Sequence, residues 1–395
     1  MTSRRIAVFT STRAEYGLLR PLMREIVGRP TLQLQIIVSG THLSPQHGMT
    51  RREIEADGFV IDAAVDMLLA GDSAVASSKS AALAMMGTAE ALDRLRPDLL
   101  ILLGDRYELL AAAQAAVLAR VPIAHVHGGE TTEGAIDELI RHAVTKLAHL
   151  HFPAAEPYAQ RLRQMGEAPG RIWTVGAPAL DNIAELEAVP RQALEQHLGL
   201  TLRSPSFLVT YHPVTTREDV GLRAMKSLLT ALDECQGTVV VTGTNADPGA
   251  FGIRQALERF AADRSDRVAL VESLGARRYL SLMAQVDAVI GNSSSGLLEA
   301  PAMGVSTVDI GARQRGRLRA PSVIHCEEDL DSIRAALALS LTDKQRVLAA
   351  RRETPYGRPG AAHRIIDVLE SVSLNSLEKP FVNYSANSNF SANIP

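Results

Sequence analysis

Short apolar runs alternate with longer stretches of helical periodicity along most of the chain. "IAVFT" (6–10) precedes a helical stretch near 16–28, and "LQIIVSG" (34–40) follows it. "DLLILLGD" (98–105) leads into "RYELLAAAQAAVLAR" (106–120), and "PIAHVHGG" (122–129) leads into "AIDELIRHAVTKLAHL" (135–150). "IWTVG" (172–176) closes this half. Unbroken Val/Ile/Leu runs suit strands buried on both faces, and their alternation with amphipathic helices predicts βαβ units and parallel sheets. The second half repeats the style with "SFLVTYHP" (206–213), "GTVVVTGTNAD" (237–247), "RVALVES" (267–273), "DAVIGNSSSG" (287–296) and "VSTVDIG" (305–311). The stretch 176–206 carries turns and a polar helix but no strand, which puts a boundary near 180. The pattern thus predicts an α/β chain of two doubly wound domains facing across a cleft, with ligands outside the carboxyl ends of the strands. The last residues, 373–395, turn Asn/Ser-rich and are expected to be a disordered tail.

Composition narrows the class. A chain of 395 residues is long for one core, in line with roughly two domains of about 150–200 residues. Hydrophobic residues make up 46% and charged residues 22%, as in ordinary soluble globular proteins. A net charge of −3, with no dense Lys/Arg stripe, argues against nucleic acid as the main partner. A small anionic ligand needs only a few local cations and backbone amides. Cys235 and Cys326 stand far apart with no CxxC, so neither a structural zinc nor a disulfide scaffold is expected. The opening apolar run is too short for a secretory signal, and no run reaches the length of a membrane span. The expectation is a cytoplasmic protein with no membrane partner.

The candidate chemistry collects where the predicted strands end. "TSTRAEYG" (10–17) follows the first strand, "GDRYE" (104–108) the third and "HGGETTEGAIDE" (127–138) the fourth; "YHPVTT" (211–216), "GTNAD" (243–247) and "GNSSSGLLEA" (291–300) do the same in the second half. In "GNSSSGLLEA", Ser293 and Ser294 would offer hydroxyls and backbone N–H groups at a helix start, where a diphosphate fits. Glu299, about one turn on, could accept from ribose hydroxyls. Plain N-capping by either serine is the competing account. Arg13 could grip a phosphate or lie on the surface. Asp105 and Glu108 bracket a helix start beside Arg106, where capping would also explain them. Glu130 follows two glycines in a loop open to a ligand. Asp137 and Arg141, four apart on a helix, could be a simple ion pair. His125 and His127 alternate on a strand, so a shared metal is not expected; His125 reads as a core histidine. His212 ends the first strand of the second half, aimed into the cleft. No G-x-G-x-x-G or Walker lysine loop appears, so NAD and P-loop readings lose support. Three acids, Asp105, Glu130 and Asp137, would crowd one wall with His212 opposite. Such crowding predicts that at least one of them holds a proton at a raised pKa. The substrate this suggests is a nucleotide sugar with chemistry at the sugar.

"STRAEYG", "GDRYE", "HVHGGE", "DELIRHAVTKLAHLHF", "YHPVT", "GTNAD", "GNSSSGLLEAP" and "GARQRGR" together resemble the hydrolysing UDP-N-acetylglucosamine 2-epimerases of bacterial sialic acid synthesis and their legionaminic acid relatives. The resemblance spans about residues 4–370. It implies a GT-B-like fold of two Rossmann-like domains, 1–180 and 181–360, with a C-terminal helix at about 361–372 returning to the first. It implies catalytic roles for Asp105, Glu130, Asp137 and His212. It implies UDP contacts from Arg13, Arg106, Asn245, Ser293, Ser294, Glu299 and Arg313. It further implies no cofactor or metal and a homodimer or homotetramer. The implied reaction converts UDP-GlcNAc and water to N-acetylmannosamine and UDP through 2-acetamidoglucal. UDP-N,N'-diacetylbacillosamine is the alternative substrate. A GT-B glycosyltransferase is the rival of another class, although it would not need three acids on one wall.

Overall fold

The structure, a computed structural model, describes residues 3–69, 71, 73–217, 219–243, 250–374 and 377–383. Six strands build the first sheet: β1 Arg4–Thr10, β2 Leu32–Ser39, β3 Ala63–Val65, β4 Leu99–Leu103, β5 Ile123–Val126 and β6 Leu150–Phe152. Six more build the second: β7 Ser206–Thr210, β8 Thr238–Thr242, β9 Val268–Val271, β10 Ala288–Gly291, β11 Ser306–Ile310 and β12 Val323–Cys326. The spatial orders are β3-β2-β1-β4-β5-β6 and β12-β11-β10-β7-β8-β9, with every pairing parallel. Counted within each half, both follow the doubly wound order 3-2-1-4-5-6. The strand order therefore reverses between β1 and β4 in one lobe and between β7 and β10 in the other. Those two points are where such sheets open a crevice for ligand.

Helices cover both faces of each sheet, which is why strands such as "LLILL" (99–103) are apolar throughout and fully buried. The helix Arg13–Val27 lays Leu19, Leu22, Met23 and Ile26 on one face of the first sheet. Beside it lies the last helix, Ala361–Ser371, whose Ile365, Ile366 and Leu369 are wholly buried in the same cluster. Each such side chain contributes roughly 1.5–3 kcal/mol on burial, ample to hold the chain's end on the first lobe. Asp181 fixes where this helix starts, accepting from the backbone N–H groups of Gly360, Ala361 and Ala362 at 2.5, 3.1 and 2.7 Å.

Three expectations need correction. Residues 172–176 form no strand; Ile172 makes a single bridge to His151. The short strands β3, β6 and β12 were not expected. Within the supposed tail, residues 377–383 are docked. Lys379 donates to the carbonyls of Thr145 and Lys146 at 2.8 and 2.9 Å, to Ala148, and to Glu167 Oε2 at 2.8 Å. The helix Asp137–Leu147 ends there, where the Ala148 N–H reaches the Val144 and Thr145 carbonyls and Lys379 adds a donor at Thr145 and Lys146. Val382 N–H adds a bond to Gly166 O at 2.9 Å, and Lys146 Nζ lies 4.9 Å from the Phe381 ring centre. Residues 384–395 lie outside the described residues.

Candidate functional site

Two connected cavities occupy the crevice between the strand ends. One, of about 160 Å³, is lined by Asp105, Glu130, Asp137 and His212 together with Arg106, Ser293, Ser294 and Arg313. The other, of about 220 Å³, is lined by Arg13, Arg106, His212, Ser293, Ser294 and Glu299. Arg106, His212 and the two serines face both, so the pair forms one continuous cleft. Of the eleven residues expected here, ten come together; Asn245 lies outside the described residues.

The acid wall is assembled by arginines. Arg141, from the helix Asp137–Leu147, is almost wholly buried. It donates to Asp105, to Glu138 at 2.9 Å, to Thr132 Oγ1 at 2.6 Å and to the Glu130 carbonyl at 3.0 Å. Arg317 reaches across from the second lobe, 3.3 Å from Glu130 Oε2 and 3.8 Å from Asp105 Oδ2. His127, at a positive φ of 64°, turns back so that its Nδ1 meets the Glu130 carboxylate. Burial alone would raise both acids. Arg317, His127 and Arg141 outweigh it at Glu130 and hold its carboxyl down at about 2. Burial opposed by Arg141 and Arg317 leaves Asp105 lowered as well. For these two, crowding does not yield a proton-holding acid, because each negative charge has a guanidinium within reach.

The raised carboxyls stand elsewhere. Burial pushes Glu299 up to about 7. Burial also pushes Glu15 up to about 7, with Arg106 opposing and Glu108 reinforcing it. Glu15 lines the smaller cavity, accepts from the Ser11 N–H at 2.8 Å, and sits 3.9 Å from Arg106 Nε. Arg106 also pairs with Glu108 at 3.1 Å. His125 is a core residue: its Nε2 bonds the Gly104 carbonyl at 2.7 Å, its Nδ1 meets Thr145 Oγ1 at 3.1 Å, and burial lowers it to about 3. Among the described residues no group of three or more His, Cys, Asp or Glu side chains is placed to hold a metal ion.

The opposite wall hangs on Asn292. Its side chain accepts from the His212 N–H at 2.7 Å and donates to the His212 carbonyl at 2.9 Å, while its own carbonyl receives Arg313 at 3.1 Å and Gln314 at 2.8 Å. Just before it, Gly291 has φ 137°, and a Cβ there would stand 2.0 Å from the Thr210 carbonyl oxygen; only glycine fits. The next helix, Ser295–Met303, has Ser294 at its N-cap with no side-chain capping bond, and Ser293 Oγ meets Ser295 N–H only at 3.5 Å. Simple capping therefore does not account for these serines. Arg13 opens its own helix, and its Nη1 lies 3.4 Å from the Glu272 carbonyl of the other lobe.

Sequence reasoning missed Glu15, Asn292 and Arg317 as site residues and treated Arg141 only as a possible ion-pair partner. The available signal was "GARQRGR" (311–317), three arginines in five positions just past a strand end.

Comparison with known proteins agrees with this geometry. The sequence profile described as UDP-N-acetylglucosamine 2-epimerase matches residues 24–370. A GDP/UDP-N,N'-diacetylbacillosamine 2-epimerase (hydrolyzing) from Campylobacter jejuni is 40% identical, over 84% of this chain and 86% of that protein. A UDP-N,N'-diacetylbacillosamine 2-epimerase (hydrolyzing) from Legionella pneumophila is 34% identical, over 94% and 97%. A UDP-N-acetylglucosamine 2-epimerase from Neisseria meningitidis is 30% identical, over 84% and 85%. In fold, the chain resembles S. aureus MnaA in complex with UDP, with TM-score 0.78 at 18% identity, over 96% of this chain and 100% of that one.

Proposed function

Because the chain belongs to the UDP-N-acetylglucosamine 2-epimerase family, as an enzyme of the hydrolysing type, we propose that it cleaves and epimerises UDP-N,N'-diacetylbacillosamine. The products would be UDP and the free manno-configured 2,4-diacetamido sugar. The observation that carries the reading is the continuous cleft, with compensated acids at one end and serines with Glu299 at the other. The sequence alone favoured UDP-GlcNAc. The relatives at 40% and 34% carry diacetylbacillosamine in their names, whereas UDP-GlcNAc is named for the one at 30%. UDP-GlcNAc is thereby the second reading.

The chemistry follows from the charges. The sugar's C2–H is not acidic while the C1–O bond is whole. As UDP leaves, positive charge grows at C1 and the neighbouring proton becomes removable. A base at neutral pH must be ionised, and Glu130 and Asp105 are held in that form. One of them takes the C2 proton and the glucal forms, a 2,4-diacetamidoglucal from this substrate and 2-acetamidoglucal on the second reading, with Asp137 sharing the proton work. Arg13, Arg106, Ser293, Ser294 and the helix start behind them receive the departing diphosphate, an electrostatic role worth several kcal/mol. Glu299 accepts from the ribose hydroxyls, and His212 and Arg313 stand beside the scissile bond. Water then adds at C1 while C2 is reprotonated on the opposite face.

An NMR time course in D₂O with each UDP-sugar tests this. The expected result is free UDP and deuterium at C2 of the released manno-sugar, faster with the diacetamido substrate. Faster turnover of UDP-GlcNAc would promote the second reading, and intact sugar in both tubes would overturn the function.

A further inference from the structure

We propose that Arg317 is a positioning residue that completes the charge compensation of the first-lobe acids when the two lobes are closed. The inference rests on the reading of Asp105 and Glu130 as proton acceptors and adds to it the group of the other lobe that tunes their acidity.

Arg317 belongs to the second lobe, on the loop after β11, yet its guanidinium is buried among first-lobe groups. Besides Glu130 and Asp105 it reaches Thr132 Oγ1 from Nε at 3.3 Å. The backbone around it forms a seam with the loop that follows Glu130. Glu133 N–H donates to Arg315 O at 3.2 Å, Thr216 Oγ1 donates to Gly134 O at 3.0 Å, and Leu318 N–H donates to Tyr158 Oη at 3.1 Å. Two glycines allow that approach. A Cβ on Gly134 would stand 2.5 Å from Arg313 Cα, and one on Gly316 2.3 Å from Thr131 Oγ1. The seam joins the lobes, so separating them withdraws Arg317 from the acids.

What stays behind decides the consequence. From their own lobe, Glu130 and Asp105 are faced by Arg141 and Asp137 on one helix, by His127 at the end of β5, and by Tyr158. Glu138 shares Arg141 and also pairs with His142 at 3.0 Å. Across the cleft stand His212 and Arg313, with Tyr356 behind. Arg141 then serves two carboxylates, Asp105 and Glu138, and the backbone carbonyl of Glu130, whose own carboxylate keeps His127. A buried carboxylate deprived of its cation takes up a proton rather than stay ionised. Arg317 itself never deprotonates in this range, so its position, not its titration, is the variable. With the lobes apart Asp105 keeps Arg141 and Glu130 keeps His127, but both lose Arg317; with the lobes together Arg317 completes their compensation beside the bound sugar.

The experiment compares the pH dependence of kcat for the wild type, Arg317→Gln and Arg317→Lys, with UDP affinity and thermal melts measured in parallel. Losing a cation within reach raises a carboxylate by about 1–3 pH units. The acidic limb of kcat in Arg317→Gln should therefore move to higher pH by about that much, with activity recovering towards the wild-type level once the pH lies above the shifted limb. Arg317→Lys should shift the limb less, in the same direction, and UDP affinity should change little in either. A merely structural arginine would lower kcat at every pH and leave the limb in place, and that result overturns the proposal. Should Arg317→Gln fail to fold, Arg317→Leu, which keeps much of the stem's bulk without the charge, carries the same test, and an unshifted limb there overturns the proposal equally. The reading beneath fails separately, if Glu130→Gln and Asp105→Asn both turn over at the wild-type rate.

Discussion

Glu130 and Glu299 sit in adjoining cavities of one cleft, and their surroundings push them in opposite directions. Glu130 is met by Arg317, His127 and Arg141, and is held at about 2. Glu299 is half-buried with no compensating cation among the causes of its shift, and rises to about 7. Both are desolvated, so burial does not separate them; the supply of cations does. A carboxylate compensated by protein is ready to take a proton from a substrate carbon. One left uncompensated lacks hydrogen-bond donors that a ligand can bring. The contrast assigns proton transfer to the first cavity and ligand recognition to the second, and each prediction below attacks that division.

The largest effect should come from the compensated acids. Glu130→Gln and Asp105→Asn remove a base while keeping its shape, and should lower kcat by about 10²–10⁴ with UDP affinity nearly intact. Steady-state kinetics with parallel UDP titration checks this. Loss of UDP binding in these variants would erase the distinction between the cavities.

A smaller effect, in the other parameter, should follow at the second cavity. Glu299→Ala removes the acceptor for ribose hydroxyls, and a hydrogen bond to a charged group is worth about 1.5–3 kcal/mol. UDP affinity should fall by about ten- to a hundredfold, while kcat at saturating substrate changes far less. Calorimetric titration with UDP reads the affinity directly. A collapse of kcat with unchanged affinity would move Glu299 to the proton chemistry.

How much of this division could be read from sequence depends on the kind of signal. Strand ends were legible because buried parallel strands are long apolar runs, and polar clusters follow them abruptly, as in "LLILLGDRYE" (99–108). The strands of three or four residues, such as β3 and β6, offer too few positions for periodicity to register. Lys379 and Phe381 sit in a stretch of plain composition, and the carbonyls at the end of the helix Asp137–Leu147, with Glu167 beside them, give Lys379 somewhere to dock. The catalytic candidates were legible as residue types at strand ends, but their charge states were not. The expected proton-holding acid was placed among Asp105, Glu130 and Asp137, the first two of which are lowered, whereas the groups raised to about 7 are Glu15 and Glu299. That outcome turns on Arg317, which is 187 positions from Glu130 in the chain and paired with it only through lobe contact.

The smallest effect is on stability, and it sharpens the comparison because the two glutamates should depend on pH differently. Glu299 is raised from an ordinary 4.5 to about 7 in the folded chain. Below pH 4.5 it is protonated whether the chain is folded or not, and costs nothing. Between 4.5 and about 7 the unfolded chain releases the proton while the folded one keeps it, so stability falls as pH rises through that window. Glu130, lowered to about 2, contributes stability that is complete above 4.5 and is lost only as pH falls towards 2. Glu299→Gln should therefore melt close to the wild type at about pH 5 and a few degrees higher at about pH 8. Glu130→Gln should melt lower than the wild type by a similar amount at both values. Melting curves for the three proteins at the two pH values suffice. If Glu299→Gln showed no gain at alkaline pH, Glu299 would have a cation after all, and the two cavities would not differ in the way that separates their roles.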